Sequence, residues 1–441
     1  MASEGSEDSA AFEYVCEGLG DDFGIRSQES DEAFIARATL EYIWSQEGRR
    51  SFLDYIMPDR DKADNEDLFG EFIQTLSILV SIELERDSCE AFDSARYNFC
   101  PVAITDQDFI VRKGGWRLPF EVNGPAARLG AGASADVICA HIAPGHFCSS
   151  PDPDIKKAPR AGKTAVAIKK FRVEHRRDFD REYQVLKCLC QHRQQHKHIV
   201  SMLAAIDVED YLGTLLPLAQ TDLRQILRGK FPLHTTPSLP HLLDQVERLA
   251  DALQHVHGAD YCHYDLKPTN VLVYGDVQTG RDSPVGRWKL SDFGMGKPIG
   301  PSCTQGQQRG SLSPRTNTYQ APEAWSGLHA GSSSDVWSFG CILSLVNAFG
   351  IGRGGGVQGV TDFDQRRLRT SGGPTWAANN CFFRQQTSSS RPGDEVNPEV
   401  PGWITDMLTD SDLLIGCKRI LLKTLTIKPK GRPTAGEVSE L

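Results

Sequence analysis

Tyr261-Cys262-His263-Tyr264-Asp265-Leu266-Lys267-Pro268-Thr269-Asn270 places a carboxylate, an ammonium and a carboxamide at fixed offsets on one short stretch. These groups can take up a proton, balance negative charge and offer a hard oxygen to a cation. Taken alone, the Asp-Leu-Lys-Pro core also fits an exposed turn, so its weight depends on what else the chain carries.

Three further strings lie where such a site needs them: Val166-Ala167-Ile168-Lys169, Asp292-Phe293-Gly294 and Ala321-Pro322-Glu323. With them the chain resembles a eukaryotic protein kinase of the serine/threonine type, from about Ala127 to the C-terminus. The resemblance implies an α+β, bilobal protein-kinase fold. A small β-rich lobe with one main helix is expected over about residues 119–218, and a large helical lobe over about 219–441.

The 441 residues exceed the usual size of one folding unit, and a hydrophobic content of 39% with 24% charged residues is ordinary for a globular protein. No N-terminal run has a basic start and an apolar centre, and no stretch of about 18 apolar residues is expected, so no secretion signal or membrane span is read. An intracellular place, cytoplasmic or nuclear, follows as the expectation. The twelve cysteines lack zinc-ligand spacing and are read as reduced thiols. Charge is uneven. Residues 1–110 carry 8 Lys/Arg against 26 Asp/Glu, or −18, which leaves 40 against 32, or +8, for the remainder. An acidic first quarter does not suit nucleic-acid binding, whereas a mildly basic remainder suits ATP.

Along the chain, residues 1–30 read as an acidic mobile tail and 31–118 as a helical N-terminal region of unassigned role. Its apolar periodicity runs from Phe34 to Ile56 and from Leu68 to Leu79. Short strands follow, with a Gly/Pro boundary near Gly114–Gly124. Gly145–Gly162 reads as an extended loop between two strands, and Gly275–Arg287 and Gly350–Pro392 as enlarged loops. The N-terminal region is expected either to dock on the small lobe or to serve as a separate targeting module.

The resemblance carries over residue by residue. Asp265 corresponds to the base that takes the substrate hydroxyl's proton, with Lys267 beside it, and Asn270 and Asp292 to the magnesium ligands. Lys169 corresponds to the lysine that holds the ATP phosphates. Glu182 is its expected helix partner, with Glu174 the weaker competitor, because Leu186 four residues on shares the face of Glu182. Gly130-Ala131-Gly132-Ala133-Ser134-Ala135-Asp136-Val137 resembles the glycine-rich loop, with Ala135 at its third glycine; alone it also fits a plain hairpin. Leu129, Gly130, Ala131, Gly132, Val137, Ala167, Leu218 and Leu272 are the implied ATP contacts, the hinge lying around Leu216–Ala219. Phe293, His263 and Leu186 resemble the hydrophobic spine, Asp335 the brace of the catalytic loop, and Glu323 with Arg432 the buried ion pair of the large lobe. Thr316 corresponds to the threonine that contacts the catalytic aspartate, although Arg315 and Asn317 depart from the usual pattern. ATP and Mg2+ are the implied ligands and protein hydroxyls the acceptors. Ala135 and Tyr264 leave open a pseudokinase scaffold; a small-molecule kinase would lack the Ala-Pro-Glu and Asp335-Val336-Trp337 strings.

Overall fold

The run Thr164-Ala-Val-Ala-Ile-Lys-Lys-Phe171 is a short, almost continuous apolar stretch of the kind a strand buried on both faces requires, and it forms the middle of the first unit's sheet as strand β5 (Thr164–Phe171). The computed structural model describes residues 108–112, 120–121, 128–132, 134–142, 164–191, 196–208, 211–275, 277, 283–299, 318–326, 331–351, 356–369, 382–386 and 393–439. These divide into two compact units. One comprises the described residues up to Phe179 with Met202–Leu218, and the other Asp180–Ser201 with those from Ala219 onward.

In the first unit, β5 pairs antiparallel with β4 (Ala135–Ile142) on one side and with β7 (Tyr211–Pro217) on the other. β6 (Ala204–Val208) pairs with the far edge of β7, while β2 (Phe120–Glu121) and β3 (Arg128–Ala131) pair with β4. β1 (Asp108–Arg112) completes the seven-stranded sheet by lying parallel to β6. The register sorts the side chains into two faces. Ala140, Ile142, Val166, Ile168, Ala204, Ile206 and Leu215 gather with Phe120 and Leu203 into one core. Val137, Ala167, Lys169, Thr214 and Leu216 belong to the opposite face, since cross-strand partners share a side. Helix α1 (Arg176–Gln191) starts against that second face, with the Phe179 ring edge-on to Phe171 at 5.5 Å.

The second unit, which takes in α1 from Asp180 onward, is otherwise built on the helices that follow in the chain. They are α2 (Leu223–Leu227), α3 (Leu239–Gly258), α4 (Pro322–Trp325), α5 (Ser332–Ile351), α6 (Gly356–Arg369), α7 (Glu399–Met407), α8 (Asp412–Thr424) and α9 (Ala435–Ser439). α5 runs through its core, with every residue from Ser334 to Phe349 buried. Gly340 lets α8 approach, because a Cβ there would stand 2.5 Å from Thr424 Oγ1. By length and composition Ser332–Ile351 could cross a membrane, but it is not a run of apolar residues, carrying Asp335 and Asn347, and 89% of its most apolar window is buried within the protein, as in a core helix. Small antiparallel sheets complete the unit: β10 (Val271–Tyr274) between β8 (Thr221–Asp222) and β11 (Arg287–Leu290), β9 (Tyr261–Cys262) with β12 (Lys297–Pro298), and β13 (Phe383–Gln386) with β14 (Gly393–Val396).

The structure departs from the sequence pattern in places. Asp108–Arg112 falls inside the 31–118 stretch expected to be helical, yet it is a strand, so the sheet begins before residue 119. Asp180–Ser201, expected in the small lobe, groups with the second unit. Gly350–Pro392, expected as a loop, contains α6 and β13. Its Gly-rich flanks hide a buried stripe of Val360, Phe363, Asp364 and Arg367 at helical spacing. The acidic tail, both N-terminal helical stretches and the Gly145–Gly162 loop lie outside the described residues.

Candidate active site

Between the end of β9 and the 3-10 turn Pro268–Asn270, the chain folds its polar groups onto Asp265. Lys267 Nζ donates to Asp265 Oδ2 at 2.5 Å, and Asn270 Nδ2 donates to the same oxygen at 3.2 Å and to the Asp265 carbonyl at 2.8 Å. The carboxamide is thereby oriented: its nitrogen is turned to Asp265, and Oδ1 of the buried Asn270 receives a 3.5 Å contact from the Thr269 hydroxyl.

Asp292 reaches this region through strand pairing. β10 starts one residue after Asn270 and β11 ends two residues before Asp292, and Val271 pairs with Leu290, so both residues emerge at one end of the hairpin. Ser291 closes that end by donating its N–H and Oγ–H to the Asn270 carbonyl at 2.9 and 3.0 Å. Asp292 then takes a left-handed conformation, φ +62°, which turns the chain sharply into Phe293.

Beneath the loop, Asp335 of α5 uses both oxygens as acceptors. Oδ2 receives the N–H of His263 at 2.8 Å and His257 Nε2–H at 3.0 Å, while Oδ1 receives the N–H of Tyr264 at 2.8 Å. Tyr264 itself is left-handed, φ +61°, at a cost of about 1–2 kcal/mol for a residue with a Cβ. The bond to Asp335 offsets that strain with a charge-assisted pair. Cys262 brings its sulfur within 4.8 Å of this group, but the Asp335 oxygens are already taken. His263, fully buried, donates Nε2–H to the Ser291 carbonyl at 2.9 Å and accepts the Asp265 N–H on Nδ1 at 3.3 Å, which selects one tautomer. Its ring packs tilted against that of Phe293, with centroids 4.9 Å apart. The loop is thus held from Asp335 below and from the Ser291–Phe293 segment beside it.

The first unit carries Lys169 near the C-terminal end of β5, opposite Val137 on β4 and Thr214 on β7, with its ammonium 5.3 Å from the centre of the Phe171 ring. Gly130 pairs with Val137, and Gly132 N–H closes a tight turn to the Ala135 carbonyl at 2.7 Å. A Cβ on Gly130 would meet nothing within 4 Å, whereas one on Gly132 would stand 3.0 Å from the Ala135 oxygen. On α1, Glu182 lies in the buried stripe with Phe179, Tyr183, Val185, Leu186 and Leu189, only 1% exposed, and a carboxylate so placed needs a polar partner. Glu174 is exposed on the 3-10 turn before the helix.

Glu323, near the start of α4, meets Arg432 in a two-pronged pair, Nη1 to Oε1 at 2.6 Å and Nη2 to Oε2 at 2.9 Å. The guanidinium lies 5.0 Å over Trp337 and also donates to the carbonyls of Thr426, Ile427 and Ser333.

A family model described as "Protein kinase domain" matches residues 155–440. The chain belongs to the protein kinase family. Curated relatives agree. Mitogen-activated protein kinase pmk-1 of Caenorhabditis elegans is 32% identical over 195 residues, which cover 41% of this chain and 44% of that protein. Cyclin-dependent kinase D-1 of Arabidopsis thaliana is 28% identical over 209 residues, 45% and 46% of the two chains, and human mitogen-activated protein kinase 13 is 27% identical over 241 residues, 53% and 55%. The kinase chain thus spans about half the length of these relatives. The family match starts after the glycine-rich stretch 130–137, which the motif resemblance includes.

Of the residues that the sequence singles out in this kinase, Asp265, Lys267, Asn270, His263, Phe293 and Asp335 gather in one group joined by hydrogen bonds and a ring contact, and Glu323 and Arg432 form a separate pair. Asp292 follows directly on the Ser291 link. Val137, Ala167 and Lys169 share one sheet face, with Leu216 buried and Leu218 half-buried at the end of β7; Leu272 lies on β10 opposite Lys289. Leu129 and Ala131 flank Gly130 in exposed positions. Thr316, Arg315 and Asn317 lie outside the described residues. Sequence reasoning missed His257, Ser291 and Ser334, the last donating Oγ–H to Glu323 Oε1 at 2.7 Å. His257 and Ser291 sit near recognisable strings, but their partners are backbone groups or distant carboxylates that no local pattern announces.

Proposed function

We propose that this protein kinase is catalytically active and transfers the γ-phosphoryl group of Mg-ATP to serine or threonine hydroxyls of proteins. The observation that carries the reading is the convergence of Lys267 and Asn270 on the Asp265 carboxylate. The buried Asn270 and the sharply turned Asp292 fit a hard cation, since both offer oxygen donors and emerge at one end of a hairpin. The open space over Gly130 fits close approach of a phosphate to backbone.

In this assignment Asp265 accepts the proton of the attacking hydroxyl as its oxygen bonds to the γ-phosphorus. The bond from that phosphorus to the β–γ bridging oxygen breaks, and ADP leaves with the electron pair. Lys267 balances charge beside the carboxylate. Asn270 and Asp292 would hold magnesium, which would supply positive charge to balance that of the phosphates. Lys169 binds the α- and β-phosphates and takes Glu182 as its partner; the burial of Glu182 against the exposure of Glu174 supports that choice. Val137, Ala167, Leu218 and Leu272 receive adenine. Lys267 at its place in the loop string favours serine/threonine acceptors over tyrosine.

Incubation of the purified chain with labelled ATP, magnesium and generic protein substrates tests this. Wild-type transfer is expected, with Asp265→Asn, Lys169→Met and Asp292→Asn each nearly silent but folded. Only Asp292→Asn should lose the magnesium dependence of ATP affinity. Full turnover in Asp265→Asn refutes the base assignment, and no transfer by the wild type leaves the scaffold reading.

A further inference from the structure

Helix α1 opens with a cation, Arg176, at the end where the helix dipole is itself positive. What compensates is Asp207 of β6, which accepts Nη1 at 2.6 Å and Nη2 at 2.7 Å in a two-pronged pair. Asp207 pairs across the ladder with Leu212, so it stands on the same sheet face as Phe171, whose ring meets Phe179 one turn along α1. The first turn of the helix is therefore fastened to the sheet at two points, one polar and one aromatic.

The polar point depends on β6, and β6 would be the edge of the sheet without β1. β1 pairs with it in parallel register from Asp108↔Ala204 to Arg112↔Val208, placing Val111 opposite Asp207. An uncovered edge strand has unpaired N–H and C=O groups along one side and opens locally more readily. β1 lies ahead of every string that marks the kinase and outside the matched residues 155–440.

We infer that β1 is a regulatory latch: by completing the pairing of β6 it holds Asp207 in place for Arg176, and through that pair it sets the position of the helix that carries Glu182. Arg176 and Asp207 are positioning residues, and residues ahead of the kinase match gain a route to control its activity. The inference rests on the proposed role of Glu182.

The full-length chain tests it. Successive residues of a strand turn their N–H groups to opposite sides, so of Phe109→Pro and Ile110→Pro one removes a bond to β6 and the other removes an N–H that faces away. One of the two is expected to speed amide hydrogen exchange across Ala204–Val208 and the first turn of α1, and to lower kcat roughly 3- to 30-fold with less effect on the KM for ATP; the other should stay near wild type. Arg176→Asp should lower kcat likewise, and combining it with Asp207→Arg should restore most of the loss. Asp207→Asn supplies a milder variant where the charge reversals unfold the chain. Unchanged exchange and kcat in both proline variants, or no rescue in the charge swap, overturns the latch. Absence of phosphoryl transfer by the wild type strikes the kinase assignment alone, and the exchange measurements still decide whether β1 holds β6 and α1.

Discussion

Replacing Arg432 by alanine should cost about 3–5 kcal/mol of stability in the helical unit. Arg432 is used to its limit. A guanidinium has five N–H groups, and here Nε–H serves Thr426 O at 2.7 Å, Nη1 serves Glu323 Oε1 and Ser333 O, and Nη2 serves Glu323 Oε2 and Ile427 O. Among the described residues, alanine leaves Glu323, 7% exposed, with Ser334 Oγ–H as its short donor, and removes the Arg432 donors from three carbonyls. The stranded charge dominates the loss, since an unpaired buried carboxylate costs more than any one lost hydrogen bond. Arg432→Lys keeps the charge but cannot serve three carbonyls and a forked carboxylate from one nitrogen, so about 2 kcal/mol is expected. The pair Glu323→Leu with Arg432→Met removes both charges and should lose less than Arg432→Ala alone. Urea unfolding followed by tryptophan fluorescence and by circular dichroism measures this, coincident transitions being required before a free energy is extracted. A loss under about 1 kcal/mol for Arg432→Ala, or a double variant worse than the single, would refute the account of a buried, fully engaged pair.

The ring of His198 donates from Nδ1 to the Trp288 carbonyl at 2.7 Å, and burial pushes its pKa down from 6.5 to about 4 despite that bond. The unfolded chain then binds the proton that the folded one refuses, so stability is full above about pH 6.5 and falls by roughly 3 kcal/mol as pH drops to about 4; His198→Asn should flatten that part of the stability profile, and an unchanged profile would count against the burial argument. Tyr264 cannot make the charge-assisted pair that an arginine would offer to a phosphate. Activity is therefore expected to survive phosphatase treatment despite Ser302, Thr304, Ser311 and Ser313, which lie outside the described residues; silencing would point to another cation such as Arg309. Removing residues 1–107, which spares β1 and takes away 8 Lys/Arg and 25 Asp/Glu, or −17, should alter turnover more at low than at high salt if this acidic region docks on the rest of the chain. Identical kinetics at both salts would leave it a targeting role.

The local strings of this chain were readable because each encodes its geometry within a few residues. Asp265, Lys267 and Asn270 lie within one loop and a 3-10 turn, so their spacing nearly dictates that they meet. Glu182 stands four residues before Leu186 and so shares its helix face, whereas Glu174 lies close to the end of β5 and ahead of the helix. What the tertiary structure decided are the encounters between distant segments. Asn270 and Asp292 come together because Val271 pairs with Leu290; Asp335 supports the loop because α5 passes beneath it; Arg432 spends its last three bonds on carbonyls that have no side-chain signature. β1 was hidden for the same reason. Five residues carry too little pattern to declare a strand, and its partner β6 lies about a hundred residues further along the chain. α6 was concealed by glycine-rich neighbours within a stretch that reads as a loop, and its buried Asp364 and Arg367 are satisfied by pairing with each other. Periodicity and motif spacing report what a segment prefers, whereas a backbone edge or a buried charge acquires its meaning only from the group that satisfies it.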